Sequence, residues 1–268
     1  MIVIVKKITT RSIRQSKGQQ PIVAVTAYDA ITARLADEAG VDILLVGDSV
    51  GTTHLGFTTT VPVTIEMLLH HAQAVMRAQP NALVVVDIPF GVAHRSFDQL
   101  LAVCVQCLQD ARVDAVKIEG GSVMAAKVAG LVAAGIPVLG HIGLLPQHVN
   151  ELGGYRKFGH NSDERAALIA DAQALARAGA FALVGEMIVA DCAGEIARSI
   201  DIPLIGIGSG NACDGQILVS TDLMGMNLGS VPSFVKVYAN VKQVMQDALH
   251  AYVKEVRGRE FPPEQVKD

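Results

Sequence analysis

The sequence predicts an α/β fold, a closed (β/α)8 TIM barrel, on three observations. Short runs rich in Val, Ile and Leu end on polar residues: Leu44-Leu45-Val46-Gly47-Asp48, Leu83-Val84-Val85-Val86-Asp87, Ala115-Val116-Lys117-Ile118-Glu119, Pro137-Val138-Leu139-Gly140-His141 and Ala182-Leu183-Val184-Gly185-Glu186. Such runs fit strands buried on both faces of a parallel sheet. Helical patterns separate them, as in successive βαβ units. The length of 268 residues suits one barrel, with half the residues hydrophobic and only 18% charged. A doubly wound open sheet is the runner-up, but it needs fewer strands and binds its ligand at one switch point.

The elements follow in order. Residues 8–17 predict a short helix with Thr9 or Thr10 as N-cap and Gly18 past its end, placed to cap the bottom of the barrel. Residues 22–27 are the first strand, and 29–39 a helix closed by Gly40. The second strand, 41–48, leads into a long loop, 49–62, and Thr64 caps a helix to Ala78 with Glu66 in its first turn. The third strand ends at Asp87, and a helix covers 97–109. Strand four is 114–119, after which Ser122 is expected to cap a helix to Ala134 that Gly135 stops. Strand five, 137–142, opens a long connection, 143–161, that holds Gly153-Gly154-Tyr155. Ser162 starts a helix ending at Gly179, strand six ends at Glu186, and a helix spans 190–199. Strands seven and eight are 203–208 and 216–219, with helices over 234–257 to finish. The Pro- and charge-rich tail, 258–268, is expected to be mobile or draped over a neighbour. No composition break or repeat divides the chain, so residues 1–268 read as a single domain.

Several function classes drop out. The net charge is −4 and no basic run exceeds Lys6-Lys7, so nothing points to nucleic acid. No apolar run approaches the roughly 18 residues that cross a bilayer. Met1-Ile2-Val3-Ile4-Val5 is short for a secretory signal and follows no basic residue, so a cytoplasmic protein is expected. The four cysteines lack a disulfide framework. Cys104 and Cys107 fall inside a helix, and Cys192 and Cys213 do not complete a zinc set, so all read as inert thiols.

Chemistry concentrates at the strand ends. Asp48, Asp87 and Glu119 close strands two, three and four. Neighbouring strands lie about 4.8 Å apart, so these side chains can converge. Carboxylate oxygens are hard ligands that favour Mg²⁺ or Mn²⁺. Any one of the acids could instead cap a helix or pair with a base; three in this position favour the cation. Lys117 and Glu119, two apart, share a strand face. A buried lysine needs an anion, which is either a substrate carboxylate or enolate or Glu119 itself. His141 could donate to a substrate oxygen or be a satisfied core residue. Glu186, across the barrel, suits a proton acceptor acting on a carbon acid, or a charge at a helix N-terminus. Gly206-x-Gly208-x-Gly210 has no helix directly after it, so it reads as a tight loop admitting a ligand close to backbone, without a helix terminus for phosphate.

These segments together resemble the ketopantoate hydroxymethyltransferases across nearly the whole chain. The resemblance rests on Thr26-Ala27-Tyr28-Asp29, Val46-Gly47-Asp48-Ser49, Leu55-Gly56 with Pro62-Val63-Thr64, Asp87-Ile88-Pro89-Phe90-Gly91 and Val116-Lys117-Ile118-Glu119-Gly120-Gly121. It continues through Gly140-His141-Ile142-Gly143-Leu144 with Pro146-Gln147, Leu152-Gly153-Gly154-Tyr155, and Gly206-Ile207-Gly208-Ser209-Gly210 with Asp214-Gly215-Gln216.

The resemblance implies a barrel of the phosphoenolpyruvate mutase and isocitrate lyase type. It implies transfer of a hydroxymethyl group from 5,10-methylenetetrahydrofolate to 3-methyl-2-oxobutanoate, giving 2-dehydropantoate for pantothenate biosynthesis. Asp48, Asp87 and Glu119 match the family's Mg²⁺ positions, and Asp48, Ser49, Asp87 and Lys117 its oxoacid-binding positions. Glu186 matches its proton acceptor and His141 a histidine lining the pocket. A homo-oligomer, often a decamer, is implied as well. Three stretches depart from the family pattern: Thr58-Thr59-Thr60, Met187-Ile188-Val189-Ala190, which lacks a proline, and Val92-Ala93-His94. They bear on folate affinity or lid closure more than on the metal. A C–C lyase or mutase on the same barrel is the enzyme alternative, though residues 143–161 lack the cysteine of such lids. A non-catalytic oxoacid-binding or assembly protein is the second alternative.

Overall fold

Eight parallel strands pair in the order in which they occur and close on themselves, β1 to β8. They are β1 (Ile22–Thr26), β2 (Ile43–Val46), β3 (Leu83–Asp87), β4 (Ala115–Glu119), β5 (Val138–Gly143), β6 (Ala182–Glu186), β7 (Leu204–Ile207) and β8 (Gly215–Leu218). The computed structural model describes residues 7–263. The helices are α1 (Thr10–Gln15), α2 (Ala30–Glu38), α3 (Val50–Thr53), α4 (Ile65–Arg77), α5 (Phe97–Asp110), α6 (Ala125–Ala133), α7 (Val149–Leu152), α8 (Ser162–Arg177), α9 (Ala190–Ser199), α10 (Ser220–Met224) and α11 (Val241–Gly258). No helix among the described residues is long and apolar enough to cross a membrane.

The chain divides into two compact units, one through Leu218 and one from Val219 onward. The first holds the barrel. The second contains α10 and α11, joined by an irregular segment whose Tyr238 N–H donates to the Leu223 carbonyl. On α11, Val244, Met245, Leu249, Tyr252, Val253 and Val256 are exposed.

Side-chain alternation explains how the barrel positions a site. One parity of each strand points inward, and Ile22, Ala24, Ile43, Leu45, Leu83, Val85, Ala115, Leu139, Ala182, Val184, Ile205 and Ile217 form the core cluster. Continuing that parity toward the carboxyl ends gives Asp87 after Val85, Lys117 and Glu119 after Ala115, His141 after Leu139, and Glu186 after Val184. The inward stripe therefore turns from apolar to ionisable at one rim. Ile13 of α1 and Phe181 belong to the same cluster, so α1 covers the amino-terminal end as expected. Carboxylates in the lead-in to the strands tie that end together: Asp42 accepts the Val23 N–H, Asp114 the Val84 N–H and Asp214 the Leu204 N–H.

Several local expectations shift. The loop after β2 contains α3, because Thr52 and Thr53 turn their hydroxyls back onto the Ser49 carbonyl at 3.1 and 2.8 Å. The connection after β5 contains a 3₁₀ turn, Pro146–His148, and α7. Ser122 does not cap α6; it opens a 3₁₀ turn, and its N–H donates to Asp171 of α8 at 2.7 Å. The cause is tertiary: Gly121 lies so close to the Asp171 carboxyl that a Cβ there would sit 2.0 Å from it. α8 starts at Ser162 as expected, with Asn161 as its N-cap accepting the Glu164 N–H. β8 begins one residue earlier than expected, at Gly215. Residues 234–240 are not helical, since Asn240 supplies the cap that starts α11, accepting from the Gln243 N–H. For the tail, residues 264–268 lie outside the described residues. Cys104, Cys107 and Cys192 are buried and Cys213 is half-buried, all free; burial pushes Cys104 and Cys107 up to about 12, where they are unreactive.

The barrel closes where β1 meets β8, with Ile22 in register with Gly215. A Cβ on Gly215 would lie 2.4 Å from the Ile22 carbonyl oxygen, which is backbone and cannot swing aside. Gly215→Ala is expected to lower stability by about 1–3 kcal/mol, the usual cost of overpacking. Urea unfolding checks this, and an unchanged midpoint would contradict it.

Candidate active site

Asp48, Asp87, Lys117, Glu119 and His141 are all buried, with exposures between 2% and 5%. Register sets them side by side. Asp87 pairs across the ladder with Lys117, and Glu119 with His141. Asp48 lies just past β2, and its N–H donates to Asp87 Oδ2 at 2.9 Å.

The contacts form one connected network. Lys117 Nζ donates to Asp87 Oδ1 at 2.6 Å and lies 3.8 Å from Glu119 Oε1. The internal pairing expected of Lys117 is thus present, with Asp87 as the nearer acid. His141 Nδ1 lies 3.4 Å from Glu119 Oε1, and its Nε2 lies 3.3 Å from Glu186 Oε2. Neither ring nitrogen makes an aligned hydrogen bond, so these are charge contacts, and His141 is more than a satisfied core histidine. Through His141, Glu186 is linked to the acids of the opposite wall. Ser49, the N-cap residue of α3, places its Oγ 2.8 Å from the Tyr28 hydroxyl.

Four carboxylates here face two cationic side chains, Lys117 and His141. Burial, then the charges of Asp87 and Glu119, lift the Asp48 carboxyl well above the usual range. Burial opposes a charge on Lys117, but Asp87, Glu119 and Asp48 outweigh it and raise its affinity for the proton. Burial likewise opposes a charge on His141, yet Glu119 and Glu186 carry it up to about 9. Despite its own burial, Glu119 is held below its ordinary value by His141 and Lys117. Burial pushes the Tyr28 phenol up to about 12, so it stays a hydrogen-bond donor.

Among the described residues, no three acidic, histidine or cysteine side chains are arranged as a ready-made ion cage. Lys117 and the Asp48 N–H occupy the oxygens of Asp87, and Gln147 Nε2 occupies Asp48 Oδ2 at 2.9 Å. The donor set nevertheless suits a hard divalent cation: it is all oxygen, and its shortage of positive charge falls on Asp48.

Glu186 stands on a backbone fixed from several sides. Its carbonyl accepts the Leu144 N–H at 2.9 Å, and the next N–H, of Met187, donates to Ile207 at 2.8 Å. The buried Ser209 hydroxyl donates to the Gly185 carbonyl at 2.7 Å and accepts the Ile188 N–H at 3.0 Å. The glycine-rich loop after β7 therefore braces the strand carrying Glu186. Within the stretch Met187-Ile188-Val189-Ala190, the Val189 N–H donates to the Phe158 carbonyl at 2.9 Å. Sequence reasoning did not single out Gln147, Tyr28 or Ser209 as site residues. Their only signal was membership of the Pro146-Gln147, Thr26-Ala27-Tyr28-Asp29 and Gly206-Ile207-Gly208-Ser209-Gly210 segments.

A family model described as ketopantoate hydroxymethyltransferase matches residues 7–264. A Brucella canis protein called 3-methyl-2-oxobutanoate hydroxymethyltransferase is 47% identical over 262 residues, covering 97% of this chain and 95% of that one. A Shouchella clausii protein of the same name is 47% identical over 257 residues, covering 96% and 92%. Among solved structures, a phosphonopyruvate hydrolase gives a TM-score of 0.62 at 14% identity, over 96% of this chain and 89% of the other. A 2,3-dimethylmalate lyase, described as a PEP mutase/isocitrate lyase superfamily member, gives 0.58 at 16%, over 97% and 90%. The two structural likenesses concern fold alone, a closed barrel of eight parallel strands.

Two outcomes follow from the geometry. Gly143 has φ +91°, and a Cβ there would lie 2.2 Å from the Glu186 carbonyl oxygen. Gly143→Ala is expected to displace Glu186 and to lower stability by about 1–3 kcal/mol; wild-type urea unfolding would contradict it. His141 holds its proton up to about pH 9, against an ordinary histidine at 6.5. The stability it contributes is fully present below pH 6.5 and is lost as pH rises through 9. In EDTA, the melting temperature should therefore fall more between pH 6.5 and 9.5 for wild type than for His141→Gln; parallel curves would contradict the assignment.

Proposed function

Because the chain belongs to the ketopantoate hydroxymethyltransferase family, we propose that it transfers a one-carbon unit from 5,10-methylenetetrahydrofolate to 3-methyl-2-oxobutanoate, giving 2-dehydropantoate. The observation that carries the residue assignment is the buried rim on which Asp48, Asp87, Lys117 and Glu119 meet, joined by His141 to Glu186. A Mg²⁺ ion held by Asp48, Asp87 and Glu119 would supply Lewis acidity to the carbonyl and carboxylate oxygens of the oxoacid.

The chain's own groups do the rest. Asp48, Ser49, Asp87 and Lys117 bind and orient the oxoacid, with the Tyr28 hydroxyl fixing Ser49. The Glu186 carboxylate takes the proton from C3, and the electron pair of that C–H bond moves into the C2–C3 bond as negative charge develops on the keto oxygen. Lys117, held protonated by its acidic neighbours, balances that charge. Water adds to the methylene carbon of the folate and both of that carbon's bonds to nitrogen break, the two water protons going to the nitrogens, so that tetrahydrofolate leaves and formaldehyde remains. C3 then attacks the formaldehyde carbon, and its oxygen takes a proton to become the hydroxyl. His141 holds the Glu186 carboxylate at 3.3 Å and orients it toward the bound acid.

Incubation with 3-methyl-2-oxobutanoate, methylenetetrahydrofolate and Mg²⁺ should form 2-dehydropantoate, and EDTA or omission of folate should stop it. Absence of product in the complete mixture would overturn the reading. Ala at Asp48, Asp87 or Glu119 should abolish metal-dependent turnover, and full activity in any of them would remove that residue from the set. Glu186→Gln should slow exchange of the C3 proton in deuterated water by about 10²–10⁴-fold, the usual worth of a general base, with oxoacid binding nearly intact. Unchanged exchange would take the base role from Glu186.

A further inference from the structure

Gln147 lies in the 3₁₀ turn Pro146–His148 after β5 and is buried, 5% exposed. Its side-chain amide spends both N–H bonds at the rim: Nε2 donates to Asp48 Oδ2 at 2.9 Å and to the Ile88 carbonyl at 3.0 Å. Its backbone N–H donates to Glu119 Oε2 at 3.1 Å. One residue thus ties together the ends of β2, β3 and β4 from a loop that belongs to none of them.

The chemistry of that position is restrictive. Asp48, Asp87 and Glu119 lie buried together at the rim, with Lys117 and His141 as the cationic side chains beside them. A lysine or arginine in place of Gln147 would orient Asp48 but would also neutralise it and compete with a cation. A glutamate would add a further negative charge. Asparagine, one methylene shorter, could not span from this turn to both Asp48 and Ile88. Glutamine donates two hydrogen bonds without carrying charge, so it fixes the direction of a carboxylate and leaves its charge available. Partners that orient metal-binding carboxylates in this way typically change metal affinity about 10–100-fold when removed.

We propose that Gln147 is a positioning residue that sets the cation affinity of the rim by holding Asp48 and Glu119 in a fixed mutual orientation. The proposal rests on the reading of the rim as a cation site and adds to it a residue outside the ligand set.

The test is Mn²⁺ binding to the substrate-free protein, followed by electron paramagnetic resonance, with unfolding measured alongside. Gln147→Met keeps the side-chain length and volume, removes both side-chain donors, and leaves the backbone bond to Glu119. It should weaken Mn²⁺ binding about 10–100-fold, with stoichiometry unchanged. Gln147→Asn is the milder variant should the methionine form not fold, and it should weaken binding in the same direction. Unchanged or tighter Mn²⁺ binding in either folded variant, whatever the change in melting temperature, overturns the proposal. Asp48→Asn separates the two levels of inference. Wild type binding Mn²⁺, Asp48→Asn losing it and Gln147→Met matching wild type would sink Gln147 alone; a wild type that binds no Mn²⁺ would sink both readings.

Discussion

A lysine buried inside a barrel rim is the constraint around which the rest is arranged. Lys117 is 5% exposed and survives as a cation only because Asp87, at 2.6 Å, and Glu119, at 3.8 Å, face it. Two unit charges about 4 Å apart gain about 4 kcal/mol at an effective dielectric near 20. Desolvation costs several kcal/mol per buried ion. The pairing is therefore close to neutral for folding, and stability alone gives no reason to keep it. The proposed function gives one: negative charge ready for a cation and positive charge ready for a developing enolate.

The division of labour along the barrel axis follows. At the amino-terminal end, Ile13, Ile22, Leu83 and Phe181 pack an apolar core, and carboxylates such as Asp114 and Asp214 are spent on backbone N–H groups and on Lys7 and Lys17. At the carboxyl-terminal end the same inward stripe is ionisable. The scaffold there is stiff where it carries Glu186: Gly143 passes too close for a side chain, Ser209 braces both flanks, and Phe158 bonds to Met187 and Val189. Opposite them, Asp48 and Glu119 share Gln147 as a partner.

Most of the barrel was legible because its strands are buried on both faces, which leaves uninterrupted apolar runs ending on the residues of the rim. Asp87, Glu119, His141 and Glu186 could be placed because they close strands, and Lys117 because it shares a strand face with Glu119. What escaped was decided by contacts between elements. Ser122 looks like a helix cap until Asp171 of α8 claims its N–H. The segment 234–240 carries a helix-compatible pattern, but Asn240 supplies the stronger start signal. Gln147 sits in a turn with no periodicity, so nothing local distinguishes a surface glutamine from one buried against two carboxylates. The bonds that tie Phe158 to Met187 and Val189 likewise join segments far apart in the chain.

Calorimetric titration of Mg²⁺ into the substrate-free protein, in two buffers of different ionisation enthalpy at mildly acidic pH, addresses the charge-short rim most directly. Saturable uptake of one ion per chain, accompanied by proton release that Asp48→Asn eliminates, is the predicted result. Heat without saturation, or uptake with no protons released, would contradict it.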